Sequence, residues 1–547
     1  MASTGLMMQL PLLISSILEH AERHHGQQEI VARRTEGNIQ RITYSELAAR
    51  TRRLANALVS AGIQPGENIA TMGWNTVRHV EIYYAVSGIG AVTHTLNPRY
   101  SPQQLIYIIN HAKDTTLFFD ITFAPLVKAI APHCPTVKRW VMMIDADKMP
   151  AESPVEGLIN YEHFMSGASS EFVWPQLDEN MACTLCYTSG TTGNPKGVLY
   201  SHRSTVLHAM GANTADALGL RRTDTILPVV PMFHVNAWGI PYGALMVGAK
   251  LVLPGAQLDG PSLYALMEEE KVNIAAGVPT IWLGLLNHVL QNGLKFSSFR
   301  RTLVGGSAMP ISLIKAYDEL GVHVMHGWGM TEMSPLGTVS QTSGPDLELD
   351  KAAQYDITAK QGHCLFGVDM KIVAEDGTEL PWNGEATGEL LVRGHWIISQ
   401  YYGGDGQKAF SQDTAGRGWF ATGDVSRIFP DGTMQITDRS KDVIKSGGEW
   451  ISSIDLEGIA MQHPSVMQAA VIAMPHEKWN ERPLLVVVKK PGQDVTREAL
   501  LAFYEGKTVK MYIPDDVVFV TEMPLGATGK VQKSTLREKF KDHPMPK

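Results

Sequence analysis

Tyr187-Thr188-Ser189-Gly190-Thr191-Thr192-Gly193-Asn194-Pro195-Lys196-Gly197 decides how this chain is read. Its eleven residues hold four serine or threonine hydroxyls, three glycines and one lysine. Glycines let backbone N–H groups converge on an anion with no Cβ in the way; the hydroxyls donate further hydrogen bonds, and the lysine brings positive charge. That is the chemistry of a phosphate cradle, although flexible linkers use the same small residues. The flanks separate the two readings. An apolar run from Met181 to Tyr187 precedes the loop and Val198-Leu199-Tyr200 follows it, so strand-like segments enclose it as in a buried sheet. A Walker loop is excluded, because Pro195 stands where its second glycine belongs and Gly197 where its Ser or Thr belongs. A dinucleotide fingerprint is absent as well, since Gly327-Trp328-Gly329 runs on into Met330-Thr331-Glu332.

At 547 residues the chain is too long for one core and predicts at least two domains. Its 44% apolar and 19% charged residues are ordinary for a soluble globular protein, and the net charge of −8 argues against nucleic acid as a partner. Four cysteines are too few for a disulfide framework, which fits a reducing, cytoplasmic setting. Cys183 and Cys186 form C-x-x-C, but with no second pair they read as core residues. Leu10 to Leu18, interrupted by Pro11 and two serines, predicts a short helix and neither a signal peptide nor a membrane span.

Up to about Asn180, helical and strand patterns alternate. A helix is expected from Tyr44 to Ala61, a strand from Asn68 to Met72, a helix from His79 to Gly88, a strand from Ala91 to Leu96 and a helix opening at Ser101-Pro102. Such alternation predicts α/β layers around mainly parallel sheet. Beyond the glycine loop, Ser201 is expected to cap a helix beginning at His202. A strand then ends in Pro231-Met232-Phe233-His234, and another breaks at Gly305-Gly306, where a flat ring can lie against backbone. Short β-type runs between Gly362 and Gly423 suggest a barrel-like subdomain. The alternating charges from Ile436 to Trp450 read as a solvated linker. After it, helices are expected over Ile451–Met461 and Val495–Tyr504, with strands over Val466–Ala473 and Leu484–Lys489, making a small α+β unit.

The glycine loop, the run Met325 to Glu332, Thr422-Gly423-Asp424 and the stretch Met523 to Lys533 together resemble the adenylate-forming superfamily of acyl-CoA synthetases, peptide-synthetase adenylation domains and luciferases. Trp74-Asn75, Asn97-Pro98 and Gly329 to Pro335 are most similar to bacterial medium-chain fatty-acid CoA ligases and methylthiopropionate CoA ligases. The resemblance implies a large N-terminal adenylation domain over residues 1–440 and a mobile lid over 441–547. It implies ATP, Mg²⁺ and coenzyme A as partners of a small carboxylic acid, with a homodimer among the allowed assemblies.

By motif position, nucleotide binding falls to Thr188, Ser189, Gly190, Thr191, Thr192, Gly193 and Lys196 at the phosphates. Gly305, Gly306, Ser307, Ala308, Gly327, Trp328 and Gly329 would serve the adenine, and Asp424 and Arg439 the ribose side. Thr331 would bind phosphate and Glu332 would hold Mg²⁺. His234, Val235, Trp238, Gly239 and Met333 would form the acyl pocket, with His234 gating the coenzyme channel. Lys530 would be the catalytic lysine, Lys441 the hinge, and Lys445, Ser446, Gly447, Gly448 and Glu449 the coenzyme A side.

The expected reaction is attack of a carboxylate on the α-phosphorus of ATP, giving acyl-AMP and pyrophosphate, followed by transfer of the acyl group to a thiol. Positioning and positive charge suffice for the first step. An amino-acid-activating relative would place an aspartate near His234; Val235-Asn236-Ala237-Trp238 holds no carboxylate, which favours an uncharged acyl chain. Loading of a carrier protein and a non-catalytic nucleotide sensor are the alternatives the sequence leaves open.

Overall fold

The computed structural model describes residues 5–188, 194–342, 344–447, 449–476, 478–526 and 530–546, with Glu449 described by its backbone alone. Two large sheets form the body. The seven-stranded sheet runs in the order Ile159–Asn160, Arg139–Met142, Thr116–Phe119, Asn68–Met72, Val92–Thr95, Ala182–Thr188, Lys196–Ser201. All its pairings are parallel except the last, where the two strands flanking the glycine loop pair antiparallel. The nine-stranded sheet has Thr225–Pro228, Lys250–Leu253, Ile274–Gly277, Arg301–Val304 and His323–Gly329 as its parallel centre, with antiparallel strands at both edges.

Helix Val77–Gly88 explains how the sheets join. Every one of its twelve residues is buried, and it touches strand Glu29–Arg33 of one sheet and Val92–Thr95 and Ala182–Thr188 of the other. A helix covered on all sides needs no polar face, and its sequence has little amphipathic contrast. Surface helices start on side-chain caps: Thr43 with Glu46, and Ser101 with Gln104, each form reciprocal capping boxes, as does Ser201 with Ser204 at the helix after the glycine loop.

A five-stranded half-barrel follows, built on Gly418–Ile428, which pairs with Gly388–Gly394, Phe410–Gln412 and Met434–Arg439. The small C-terminal domain carries its own sheet of Glu449–Ile451, Ile444–Ser446, Asn480–Lys489, Val466–His476 and the parallel Asp516–Phe519, and its own apolar core around Ile444, Leu456, Val471 and Leu485.

Three expectations need correction. The first helix spans Ile14–His25 and not Leu10 to Leu18: Pro11 keeps the start out, and the charged residues after Leu18 form its exposed face while Ile14, Ile17, Leu18 and Ala21 are buried. Ile451 ends a strand, and the helix expected to begin there spans Ser453–Met461, capped by Ser452. The stretch from Ile436 is not a solvated linker at its start, because strand Met434–Arg439 continues through it. Asp438 is 1% exposed, and its Oδ2 accepts the Ser453 backbone N–H at 2.6 Å. Burial, the largest influence on this carboxyl, raises its pKa.

Candidate functional site

A cleft of about 1300 Å³ runs between the two large sheets, the half-barrel and the C-terminal domain. It collects side chains that are hundreds of residues apart in sequence.

At one end stands the stem of the glycine loop, with Thr188 paired opposite Lys196 and Tyr187 opposite Gly197. Thr188 and Lys196 line the cleft. Ser189, Gly190, Thr191, Thr192 and Gly193 lie outside the described residues. The stem is braced from below, since the Tyr187 hydroxyl and His111 Nδ1 are 2.6 Å apart. The Lys196 ammonium sits 4.9 Å from the centre of the Tyr401 ring, a cation–π distance.

Tyr401 also reaches Glu332, donating its hydroxyl proton to Oε1 at 2.6 Å. Glu332 lies in a tight turn, Thr331–Met333, that follows strand His323–Gly329, and the Tyr200 hydroxyl fixes this turn by donating to the Thr331 carbonyl at 2.5 Å. Burial raises the Glu332 pKa, while the Tyr401 hydrogen bond works against that rise. Tyr401 and Tyr200 were missed in the sequence. The doublet Tyr401-Tyr402 ahead of Gly403-Gly404 is the one local signal for the former.

The middle of the cleft has Gly305, Gly306, Gly327, Trp328 and Gly329 along its wall. An added Cβ at Gly305 would lie 2.9 Å from the Gly327 carbonyl oxygen, so only glycine lets these two strand ends approach. Ser307 and Ala308 are exposed at the rim and are not among the residues lining the cleft. The Trp328 indole N–H donates to Asp424 Oδ2 at 3.0 Å, and Arg439 Nε lies 3.2 Å from Oδ1 of the same carboxylate. Strand pairing sets this up, because Asp424 and Arg439 are opposite one another in the half-barrel.

Lys530 enters from the C-terminal domain and lines the same cleft, together with Arg439 and Lys441. Burial among protein atoms, then repulsion by Arg439 and Lys441, lowers its pKa to about 8. The side chain is nonetheless exposed to solvent, which screens its charge.

The far end is apolar. Val229, Val230, Phe233, Val235, Trp238 and Leu303 contribute to its wall. Val235, Asn236, Ala237 and Trp238 have φ of 47°, 52°, 49° and 56°, a left-handed turn of four non-glycine residues. Each costs about 1–2 kcal/mol in that region, so the surroundings must hold them there. Asn236 is one anchor: its Nδ2 donates to Thr184 Oγ1 at 3.3 Å, and its Oδ1 is 3.6 Å from the Cys186 thiol. The turn aims the Trp238 ring at Gly305, where an added Cβ would stand 3.1 Å from Cη2. His234 sits just before it, with a pKa lowered to about 4 by burial first and then by Lys530 and Arg99, so the imidazole is neutral at physiological pH.

Two residues expected in the acyl wall stand behind it. Met333 is fully buried in the main core and Gly239 packs on His208; neither lines the cleft. On the coenzyme side, Lys445, Ser446 and Gly447 are not among the lining residues either. Lys445 Nζ instead meets Glu375 of the half-barrel at 2.8 Å, and Ser446 is buried beside Arg482. Gly448 and the Glu449 side chain are outside the described residues. Cys183 and Cys186 are buried in the strand below the glycine loop.

One buried carboxylate, Glu332, in the same cleft as Thr188 and Lys196 is a donor for a hard cation that takes its remaining oxygens from a ligand. Among the described residues no group of three or more His, Cys, Asp or Glu could hold a metal alone. The residues present therefore fit Mg²⁺ arriving with a nucleotide. No helix among them is long and apolar enough to cross a membrane.

Residues 17–402 match the family described as AMP-binding enzyme, and residues 455–530 match the AMP-binding enzyme C-terminal domain. The chain is 52% identical to a 3-methylmercaptopropionyl-CoA ligase of Ruegeria lacuscaerulensis, over 98% of this chain and 99% of that one. It is 49% identical to a medium-chain-fatty-acid–CoA ligase of Ectopseudomonas oleovorans, over 98% of each. Among solved structures it superposes on an anthranilate CoA ligase in complex with anthranoyl-AMP with a TM-score of 0.85, at 25% identity over 97% of this chain and 98% of that one.

Proposed function

The chain belongs to the AMP-binding enzymes and is an AMP-forming acid–thiol ligase that makes acyl-CoA through an acyl-adenylate; from that premise we propose that its acid is an uncharged short or medium chain, 3-methylthiopropionate included. The observation that carries this reading is the apolar end of the cleft, closed by Trp238 against Gly305. A charged substrate tail would be stripped of water against these apolar side chains. The carboxylate end of such an acid would point toward Lys530, and its tail would meet Val229, Val230 and Trp238.

In the adenylation step the Lys530 ammonium neutralises the two anions that must meet, the carboxylate and the α-phosphate. Asp424 accepts hydrogen bonds from the ribose hydroxyls, with Arg439 holding its second oxygen. Trp328, its N–H occupied by Asp424, offers the indole face to adenine. Glu332, kept in place by Tyr401, would hold Mg²⁺, and Thr188 and Lys196 would bind the phosphates of the nucleotide. Mg²⁺, when bound, supplies charge neutralisation at the departing pyrophosphate. His234, neutral beside Lys530 and Arg99, would adjoin both the acyl pocket and the path of the thiol. Lys530 sits in the cleft and Lys445 outside it, an arrangement suited to the first half-reaction. For the second, the domain beyond a hinge at Lys441 rotates, removing Lys530 and bringing the Lys445 to Glu449 loop inward.

A coenzyme A ligase assay over acids of graded length plus 3-methylthiopropionate tests the reading. Activity is expected to peak at short to medium chains; a peak at palmitate or at an amino acid would overturn it. Trp238→Ala, which empties the space of an indole, is expected to move the optimum to longer chains and to raise kcat/KM for a long-chain acid about tenfold, since each buried methylene is worth about 0.8 kcal/mol.

A further inference from the structure

Asn75 stands outside the cleft, yet the hydrogen bonds of its side chain go to the segment that forms the acyl wall. It belongs to the turn between strand Asn68–Met72 and helix Val77–Gly88, in the seven-stranded sheet's half of the body. Its side chain is 3% exposed. Nδ2 donates to the carbonyl oxygens of Pro228 at 2.8 Å and Val230 at 2.9 Å, and Oδ1 accepts the Met232 N–H at 2.7 Å. Its backbone carbonyl accepts the Gly255 N–H at 3.2 Å, a second link to the nine-stranded sheet's half. The Val229 and Val230 N–H groups still donate to the Ala276 carbonyl of strand Ile274–Gly277, and the Asn75 amide holds the other edge of the segment, pairing the Pro228 and Val230 carbonyls and the Met232 N–H. Val229, Val230 and Pro231, which this amide brackets, all line the cleft.

The neighbours of Asn75 act on the same segment. Tyr83, eight residues further on in helix Val77–Gly88, donates its hydroxyl to the Met232 carbonyl. Trp74 meets Phe233 edge-on with ring centres 5.6 Å apart, and its backbone N–H is held by the buried Asp120 carboxylate at 2.6 Å. An asparagine is required by the pattern. Aspartate would set a carboxylate against two carbonyl oxygens, and alanine would leave two buried carbonyls and one N–H without partners.

We propose that Asn75 is a positioning residue for acid specificity, which holds the Pro228–Met232 wall of the acyl pocket from the opposite half of the body. The inference rests on the acid-pocket reading above. The wall's position is then set by a side chain that never touches the acid, so pocket width is controlled from the turn Trp74-Asn75.

The test compares wild type, Asn75→Ala and Tyr83→Phe in acid-dependent exchange between ATP and pyrophosphate, using butyrate, hexanoate, octanoate and 3-methylthiopropionate. For Asn75→Ala, KM for the preferred acid is expected to rise about tenfold or more, while KM for ATP stays within about twofold and the preference among the acids flattens. Tyr83→Phe removes one hydroxyl and keeps the ring, so it folds if Asn75→Ala does not; a rise of about threefold in the same KM, again sparing ATP, is expected. Unchanged acid KM values and preference in Tyr83→Phe and in any folded Asn75→Ala would overturn the proposal, as would equal rises for acid and ATP. Failure of the wild type to use any of the four acids would instead refute the pocket reading itself.

Discussion

Lys530→Ala is expected to lower the rate of acyl-adenylate formation about a thousandfold, the scale on which one preorganised charge at a reacting centre acts. Transfer of the acyl group from supplied acyl-AMP to coenzyme A is expected to survive, because that step needs the lysine out of the way. The pH dependence carries the same signature. The ammonium is the active form, and its pKa is lowered from the ordinary 10.5 to about 8. Adenylation should therefore fall as pH rises through this value, and thioester formation should not. In Lys530→Ala the basic limb disappears from the residual adenylation rate. Measuring exchange between ATP and pyrophosphate from pH 6 to 10, beside thioester formation from synthetic acyl-AMP, separates the two steps. Intact adenylation in the variant would remove Lys530 from the mechanism.

Glu332→Gln is the second large effect, with adenylation expected to drop about a hundredfold and the Mg²⁺ concentration giving half-maximal rate to rise. The substitution keeps the shape of the side chain, and its amide oxygen can still accept the Tyr401 hydroxyl proton, so the fold is preserved. A readout independent of turnover is thermal stabilisation of the protein by ATP with Mg²⁺ against ATP with a chelator. Wild type should gain more from the metal than Glu332→Gln does. The sign with pH follows from burial, which raises the pKa of this carboxyl. Protons compete with the metal for it, so wild-type Mg²⁺ affinity should weaken as pH falls, and that dependence should vanish in the variant. An unaltered metal requirement would show that Glu332 is not the ligand.

How much of this was legible in the sequence depended on how local each signal is. Strand Asn68–Met72 was readable to the residue, because an apolar run between Pro65-Gly66 and a turn is complete in itself. Ser201 could be named as a cap since its partner lies three residues on. The charges of Ile436 to Trp450 were misleading: Asp438 is buried because the Ser453 N–H, fifteen positions away, comes back to it. The two strands flanking the glycine loop were legible, whereas the brace of its stem by Tyr187 and His111 depends on a contact between residues 76 apart. Tyr401 and Asn75 were silent as functional residues for the same reason, their partners being 69 and up to 157 positions away. Met333 was wrongly counted into the acyl wall because adjacency to Glu332 in sequence says nothing about which face of a tight turn points to the cleft.

Lys445 and Glu375 join the C-terminal domain to the half-barrel through side chains that are 46% and 72% exposed. A pair so open to water is worth between zero and about 1 kcal/mol, comparable with the thermal energy of about 0.6 kcal/mol. It behaves as a latch that random motion can lift. If the domain beyond Lys441 swings between the two half-reactions as proposed, this exposed catch yields readily, whereas the buried bond from the Ser453 N–H to Asp438 is the stronger tie between the same two units. Ionic strength, which loosens exposed pairs first, becomes a dial on the swing that leaves the chemistry in the cleft untouched.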